Sequence, residues 1–225
     1  MSAPADCFRQ MVRSMNRSTS VKTRDERKKL IDATVAETVG VGYSALSVEG
    51  ISRRAGLSSE SFYSHFADEQ AATEAAYECL FEQYLGRLLA ACKTQSSWPL
   101  KVKVGIGLTL DTVVASPAEA QFVVAEPTRG HDELRLRMVE SHSRLARLLA
   151  AGRSEAPRGA ELPDLVEFAL VGGVCDVISN QLYEGEVKHL PALAPELVEF
   201  VLTFYLGSAR AVEVARRPRS GSSRR

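Results

Sequence analysis

Residues 47–66, S-V-E-G-I-S-R-R-A-G-L-S-S-E-S-F-Y-S-H-F, constrain the fold more than any other stretch of the chain. Val48, Ile51 and Ala55 recur at helical spacing and give a first short helix one apolar side. In Ala55-Gly56-Leu57-Ser58, Gly56 suits the left-handed conformation that ends a helix. Ser58 offers a hydroxyl to cap the next helix. That second helix, residues 59–65, turns Phe62 inward, with Phe66 just beyond it, and leaves Ser59, Glu60, Ser61, Tyr63, Ser64 and His65 for other contacts. Two helices joined by a short turn containing Gly form the helix-turn-helix pattern, whose second helix enters the DNA major groove.

Residues 24–72 resemble the N-terminal DNA-binding head of TetR-family transcriptional regulators. The resemblance rests on Leu30, Ile31 and Ala33 in a preceding helix, Gly42-Tyr43, Ser47-Val48, Ile51 and Ala55-Gly56-Leu57-Ser58. Its most specific part is the Phe62-Tyr63-Ser64-His65-Phe66 block. Over residues 73–225 it is architectural only. It implies an all-α fold: a three-helix head with a helix-turn-helix, and a six-helix body that binds a ligand and dimerises. The expected DNA-binding set is Ser47, Arg53, Arg54, Ser58, Ser59, Glu60, Ser61, Tyr63, Ser64 and His65. Tyr63 and His65 resemble phosphate contacts. Ser47 caps a helix N-terminus, where a phosphate is also favoured. Arg53 and Arg54 either meet phosphate or complement the helix C-terminus. Glu60 either accepts from a cytosine amino group or complements the helix dipole.

Several positions depart from the family pattern. Leu46 stands where a hydroxyl cap is usual, so Ser47 is expected to take over. Glu37 and Thr38 replace apolar residues, which implies weaker packing of the first helix. Glu69 and Gln70 stand where a phosphate-gripping Lys is common.

Composition fits this frame. The 225 residues suffice for a small and a medium domain without a disulfide or metal staple. Cys7, Cys79, Cys92 and Cys175 are scattered without a C-x-x-C pair, which points to a reducing cytoplasm. Net charge is zero but uneven. Residues 1–67 carry ten Lys/Arg against seven Asp/Glu, and residues 68–209 carry twelve against twenty. A basic head on an acidic body suits a protein whose head alone meets phosphate. The most apolar stretch, residues 165–183, contains Glu167 and Asp176 and is not read as a membrane span.

In chain order, residues 1–23 read as a flexible basic arm, 24–67 as the helix-turn-helix domain, 68–215 as the helical body and 216–225 as a disordered Arg-rich tail. Head helices are expected over 24–39, 47–55 and 59–65. Asp68 caps a fourth helix over 69–92, which leaves the head for the body and is the natural lever between them. Further helices are expected over 99–115, 117–125, 132–151, 163–185 and 193–214, with a loop over 152–160.

In the family the last two helices pair across a two-fold axis; here Phe168, Gly172, Asp176, Phe200, Phe204 and Ser208 face that way. The family's body also encloses a ligand pocket, for which Tyr77, Phe81, Tyr84, Trp98, Phe122, Glu126, Arg129, Cys175 and Tyr183 are candidate liners. Few polar anchors among them favour an apolar effector. The expected partners are therefore an operator duplex, a small-molecule effector and a second copy of the chain. No cofactor or metal is expected: no H-x-x-x-H or G-x-S-x-G pattern occurs, which argues against an enzyme. The resulting expectation is a ligand-released repressor. The alternatives are an activator or co-repressor-type regulator, and a ligand-binding protein whose DNA affinity is weakened by Glu60 and Glu69.

Overall fold

The computed structural model describes residues 3–129 and 132–217, with side chains from Lys22 onward. Among these residues the chain is all-α. It separates into two compact units, Met1–Ala76 and Tyr77–Arg225.

The head begins with α1, Ala3–Val41. The segment expected as a flexible arm is, from Ala3, helical backbone continuous with the first helix. The physical reason lies in composition: between Pro4 and Gly40 there is no proline or glycine to break it. Leu30, Ile31, Ala33, Thr34, Val35 and Thr38 are buried on its inner side. Thr38, expected with Glu37 to weaken the packing of this helix, is fully buried, as is Thr34. Thr34 Oγ1 donates to Leu30 O at 2.7 Å, and Thr38 Oγ1 to Thr34 O at 2.8 Å, so both hydroxyls are satisfied by the helix itself.

Helix α2, Val48–Ala55, starts at Ser47, whose Oγ accepts from Gly50 N–H at 3.1 Å. It ends at Gly56, with φ 67° and ψ 34°. There Leu57 N–H returns to Ser52 O at 3.0 Å, closing the last turn. Helix α3, Ser59–Tyr63, is capped by Ser58 Oγ, which accepts from Ser61 N–H at 3.1 Å. It is two residues shorter than the expected 59–65, which continue as a turn onto Phe62 O. Asp68 Oδ1 accepts from Ala71 N–H at 2.7 Å at the start of α4, Glu69–Lys93. Ala72, Thr73 and Ala76, in the first turns of α4, are buried. The boundary between units therefore falls inside α4 rather than at residues 67 and 68.

The body continues with α5 (Trp98–Ala115), α6 (Pro117–Ala120), α7 (Asp132–Ala150), α8 (Val166–Glu184), α9 (Ala194–Leu206) and α10 (Ser208–Arg216). The helix expected over 117–125 is only one α-turn long. It gives way to a π-helical turn, Gln121–Ala125, and a 3-10 turn, Glu126–Arg129. The helix expected over 193–214 is broken in two at Gly207, whose φ of 76° and ψ of 158° leave helical space. The tail lies outside the described residues from 218 onward.

Trp98, Val102, Ile106, Leu110 and Val113 recur along α5 and form a core with Leu170 and Ile178 of α8 and Leu197, Val201, Leu202 and Tyr205 of α9. The expected loop over 152–160 is a tight strap of two 3-10 turns, Ala151–Glu155 and Gly159–Glu161. It is fixed by one buried carboxylate. Glu167 accepts from Arg153 Nε at 2.8 Å, Arg153 Nη2 at 2.7 Å and Tyr205 Oη at 2.7 Å. Arg153 also donates to the carbonyls of Leu162 and Pro163 at 2.7 and 2.8 Å. Burial pushes the Glu167 carboxyl up, but the hydrogen bonds from Arg153 and Tyr205 outweigh burial and hold it below its ordinary value.

The strap also presses Gly152 onto the Trp98 indole. A Cβ at Gly152 would lie 1.8 Å from Trp98 Cε2. Gly152→Ala is therefore expected to lower the unfolding temperature by roughly 6–12 °C, about 3 kcal/mol of overpacking. Gly86→Ala in α4, where a Cβ meets nothing within 4 Å, is expected to leave it unchanged or raise it slightly. Circular-dichroism melts of the two variants check the contrast.

Candidate nucleic-acid interface and apolar cavity

The outer side of the head presents Arg53, Arg54, Ser58, Glu60, Tyr63 and Ser64 to solvent. Tyr63 is the most prominent apolar-bodied group there, 58% exposed, with its ring edge-on to Phe62 at 5.6 Å. Phe62 and Phe66 are buried and fix the α3 backbone from below. Ser47 and Ser59 are half-buried. This surface sets hydroxyls, a phenol and guanidinium groups around a short capped helix, with the Glu60 carboxylate among them.

Three members of the expected DNA-binding set are engaged within the head. The His65 side chain is only 5% exposed and turns inward, so it does not present a phosphate contact. Its Nε2 lies 3.6 Å from Glu26 Oε2 and has no hydrogen-bond partner. Ser61 Oγ also points to Glu26, at 3.4 Å. Arg54 Nε donates to Glu37 Oε2 at 2.6 Å, tying α2 to α1. Glu37 is buried, and Gly50 makes room for it: a Cβ there would lie 2.7 Å from Glu37 Oε1. The expected weak spot at Glu37 is thus a cross-helix ion pair.

Glu26, Glu37 and Arg27 had no place in the sequence-derived site. Arg27 stacks over the Phe66 ring at 5.1 Å. A signal existed for the two acids. Glu26, Leu30, Ala33, Thr34 and Glu37 share one helical face, so extending the apolar stripe by a turn at each end reaches both carboxylates.

The body holds a cavity of about 520 Å³. Of the candidate liners, Tyr77, Phe81, Tyr84, Trp98 and Cys175 line it. Phe122, Glu126, Arg129 and Tyr183 do not. Phe122 is fully buried in the π-helical turn, whose neighbours Val123 and Val124 take the cavity wall instead. Glu126 is buried too, and its Oε1 accepts from Arg129 Nη1 at 2.8 Å and Gln121 Nε2 at 3.4 Å, a closed structural pair. Tyr183 is 85% exposed. The α8 wall is Leu170, Val171, Val174, Cys175 and Ile178, and Tyr183 falls off that stripe.

Apart from Lys93, Lys101, Glu119 and Glu155, the polar groups lining the cavity are hydroxyls, thiols and the His142 ring. Burial pushes the Tyr77 hydroxyl well above its ordinary range, against a hydrogen bond with Ser141. Burial also pushes Tyr84 up to about 12. Tyr84 Oη lies 2.8 Å from Thr109 Oγ1, and Thr109 in turn donates to Gly105 O at 2.8 Å, so the tyrosine is the donor. The Cys175 thiol is raised to about 12 and that of Cys92 is raised as well, both by burial, so neither is a thiolate. Cys79, Cys92 and Cys175 are free.

The face expected to dimerise carries exposed Phe168, Asp176, Phe200, Phe204 and Ser208. Phe200 and Phe204 stack edge-on at 6.0 Å, and a Cβ at Gly172 would meet nothing within 4 Å. Among the described residues no helix is long and apolar enough to cross a membrane, and no group of three or more His, Cys, Asp and Glu is placed to hold a metal.

His142 also lines the cavity, with its ring 5.9 Å from Phe168. Burial lowers its pKa below the ordinary 6.5. The folded body thus prefers the neutral ring. Its contribution to stability is present above pH 6.5 and is lost as the pH falls through the folded value. Melting curves across that range are expected to show this loss, and His142→Gln is expected to flatten it.

Residues 30–71 match the sequence model of bacterial regulatory proteins of the tetR family. No curated protein matches the chain. Among solved structures, the fatty acid degradation regulator FadR from Bacillus halodurans superposes with a TM-score of 0.71 at 20% identity, over 79% of this chain and 94% of its own. FadR from Bacillus subtilis, in complex with stearoyl-CoA, gives 0.67 at 17% identity, over 79% and 98%. A TetR-like transcriptional regulator from Rhodococcus sp. RHA1 gives 0.62 at 17%, over 77% and 93%. These likenesses establish the fold that the chain shares with those regulators, and residues 30–71 match the head of the tetR-family regulatory proteins.

Proposed function

We propose that the chain is a homodimeric repressor that binds a palindromic operator through α2 and α3 and is released by an apolar effector bound in the body. The observation that carries this reading is the pairing, in one chain, of a capped helix-turn-helix exposing Tyr63 with a 520 Å³ cavity whose walls are mostly apolar. The Bacillus subtilis FadR structure, solved with stearoyl-CoA, supports an effector of apolar body in a protein of this fold. The exposed apolar face around Phe168, Phe200 and Phe204 supports pairing with a second copy. Two recognition helices related by a two-fold axis read two half-sites about one DNA turn apart.

Release follows from linkage. An effector that binds the body more tightly when the heads are not at the groove spacing must lower operator affinity by the same factor. A coupling of about 1–3 kcal/mol gives a change of roughly 5–150-fold. Such a protein works in the cytoplasm, beside the chromosome. A second reading, ligand binding with weakened DNA affinity, is favoured by exposed Glu60 at the start of α3 and by Glu69, which together bring negative charge near the duplex.

The reading is tested by duplex binding at two salt concentrations, using DNA flanking the protein's own gene and then random-site selection, with mass measured on the same sample. A dimer protecting a palindrome, with affinity falling as salt rises, is the expected result. Tyr63→Phe is expected to weaken binding across sequences, whereas Ser59→Ala or Glu60→Ala should change base preference. Failure of both DNA sources to yield a bound site would favour the second reading.

A further inference from the structure

The cavity is long rather than round. α5 lines it from Trp98 to Ser116, and α4 from Tyr77 to Lys93. The two helices run antiparallel along it: Tyr84 meets Thr109, Leu88 lies against Gly105, and Cys92 Sγ lies 3.6 Å from Lys101 O. At 1.5 Å per residue the lined stretch of α5 is about 27 Å long. A lined stretch of that length, with apolar side chains along most of it, matches an extended hydrocarbon chain.

The two ends differ in charge. At the end where α4 finishes and α5 begins stand Lys93 and Lys101, and neither forms an ion pair among the described residues. Glu155 stands there too, with its Oε2 already accepting from Trp98 N–H at 3.2 Å. The opposite end carries Glu119. Between them the walls offer apolar side chains and polar groups that are uncharged or, at His142, held toward the neutral form. A ligand charge is therefore accommodated only at the ends, and an anion only at the lysine end.

We propose that the channel takes a single unbranched hydrocarbon chain bearing an anionic head, seated with its head at Lys93 and Lys101 and its tail toward Ser116. This rests on the effector cavity proposed above and specifies its occupant. An ammonium group is a compact point charge, so a carboxylate and a phosphate-bearing carrier suit the pair alike.

The chain's sole tryptophan, Trp98, lines the lysine end and reports occupancy without a label. Hexadecanoate, hexadecanoyl-coenzyme A and uncharged hexadecanol are titrated below their aggregation limits while Trp98 emission is followed. Saturable binding of at least one anion, tenfold or more tighter than hexadecanol and with that advantage shrinking as salt rises, is expected. Comparison of the two anions identifies the head. The Lys93→Gln, Lys101→Gln double variant is expected to retain hexadecanol binding and lose the preference, with its melting curve confirming the fold. Equal binding of anion and alcohol by the unmodified protein, no binding of either anion, or a preference surviving in a folded double variant would overturn the proposal. The same anions are added to the protein–operator complex as a separate measurement. Binding seen by Trp98 without operator release would leave this proposal standing and remove the ligand-released repressor. An operator-binding dimer that ignores both anions would do the reverse.

Discussion

A carboxylate taken out of water has to be met by a cation, and this requirement shapes both units. Glu37 is met by Arg54, Glu126 by Arg129 and Glu167 by Arg153. Arginine serves at each because its guanidinium keeps its charge and offers several donors in a fixed plane. Arg153 uses that plane fully, holding both oxygens of Glu167 and two carbonyls of the strap. In the head the same requirement locks α2 to α1, so the helix that precedes the turn is oriented by an ion pair as well as by Leu30 and Ile51. A cation spent on such a pair is less available to phosphate, which leaves Arg53, Ser58 and Tyr63 as the more open polar positions on the outer side.

The body shows how a helical protein keeps an interior space. Its core residues stack along α5, α8 and α9, and several of them, Trp98, Ile106, Leu170 and Ile178 included, also line the channel together with positions on α4 and α7. The knot of Gly152, Trp98, Glu167 and Tyr205 closes tightly at the lysine end, where close packing and a hydrogen-bonded carboxylate coincide. The π-helical turn at Gln121–Ala125 shifts the phase of the wall beside it, so Phe122 packs away from the channel while Val123 and Val124 face it.

The head was largely legible in the order of its residues. Ser47 and Ser58 cap helices because a hydroxyl one step before a helix reaches the free N–H groups of its first turn. Gly56 ends α2 because it adopts positive φ without cost. Tyr77, Phe81 and Tyr84 fall on one stripe of α4, and all three line the channel. What local pattern missed were matters of phase and partner. Tyr183 was an aromatic at the end of an apolar helix, yet its angular position puts it in solvent. His65 belonged to the block that carries the resemblance, yet its ring turns toward Glu26, thirty-nine positions earlier in the chain.

The sequence by itself determined the helical class, the capped turn, most of the helix bounds and the apolar faces, because each depends on interactions within four or five residues. Only the tertiary structure decided which carboxylates are buried, that Arg54 and His65 are engaged inside the head, that Gly207 divides the last helix, and that the apolar stripes enclose a long channel with lysines at one end. Those outcomes depend on how far apart in space distant segments come to rest, and burial, ion pairing and enclosed volume are set by that distance rather than by spacing along the chain.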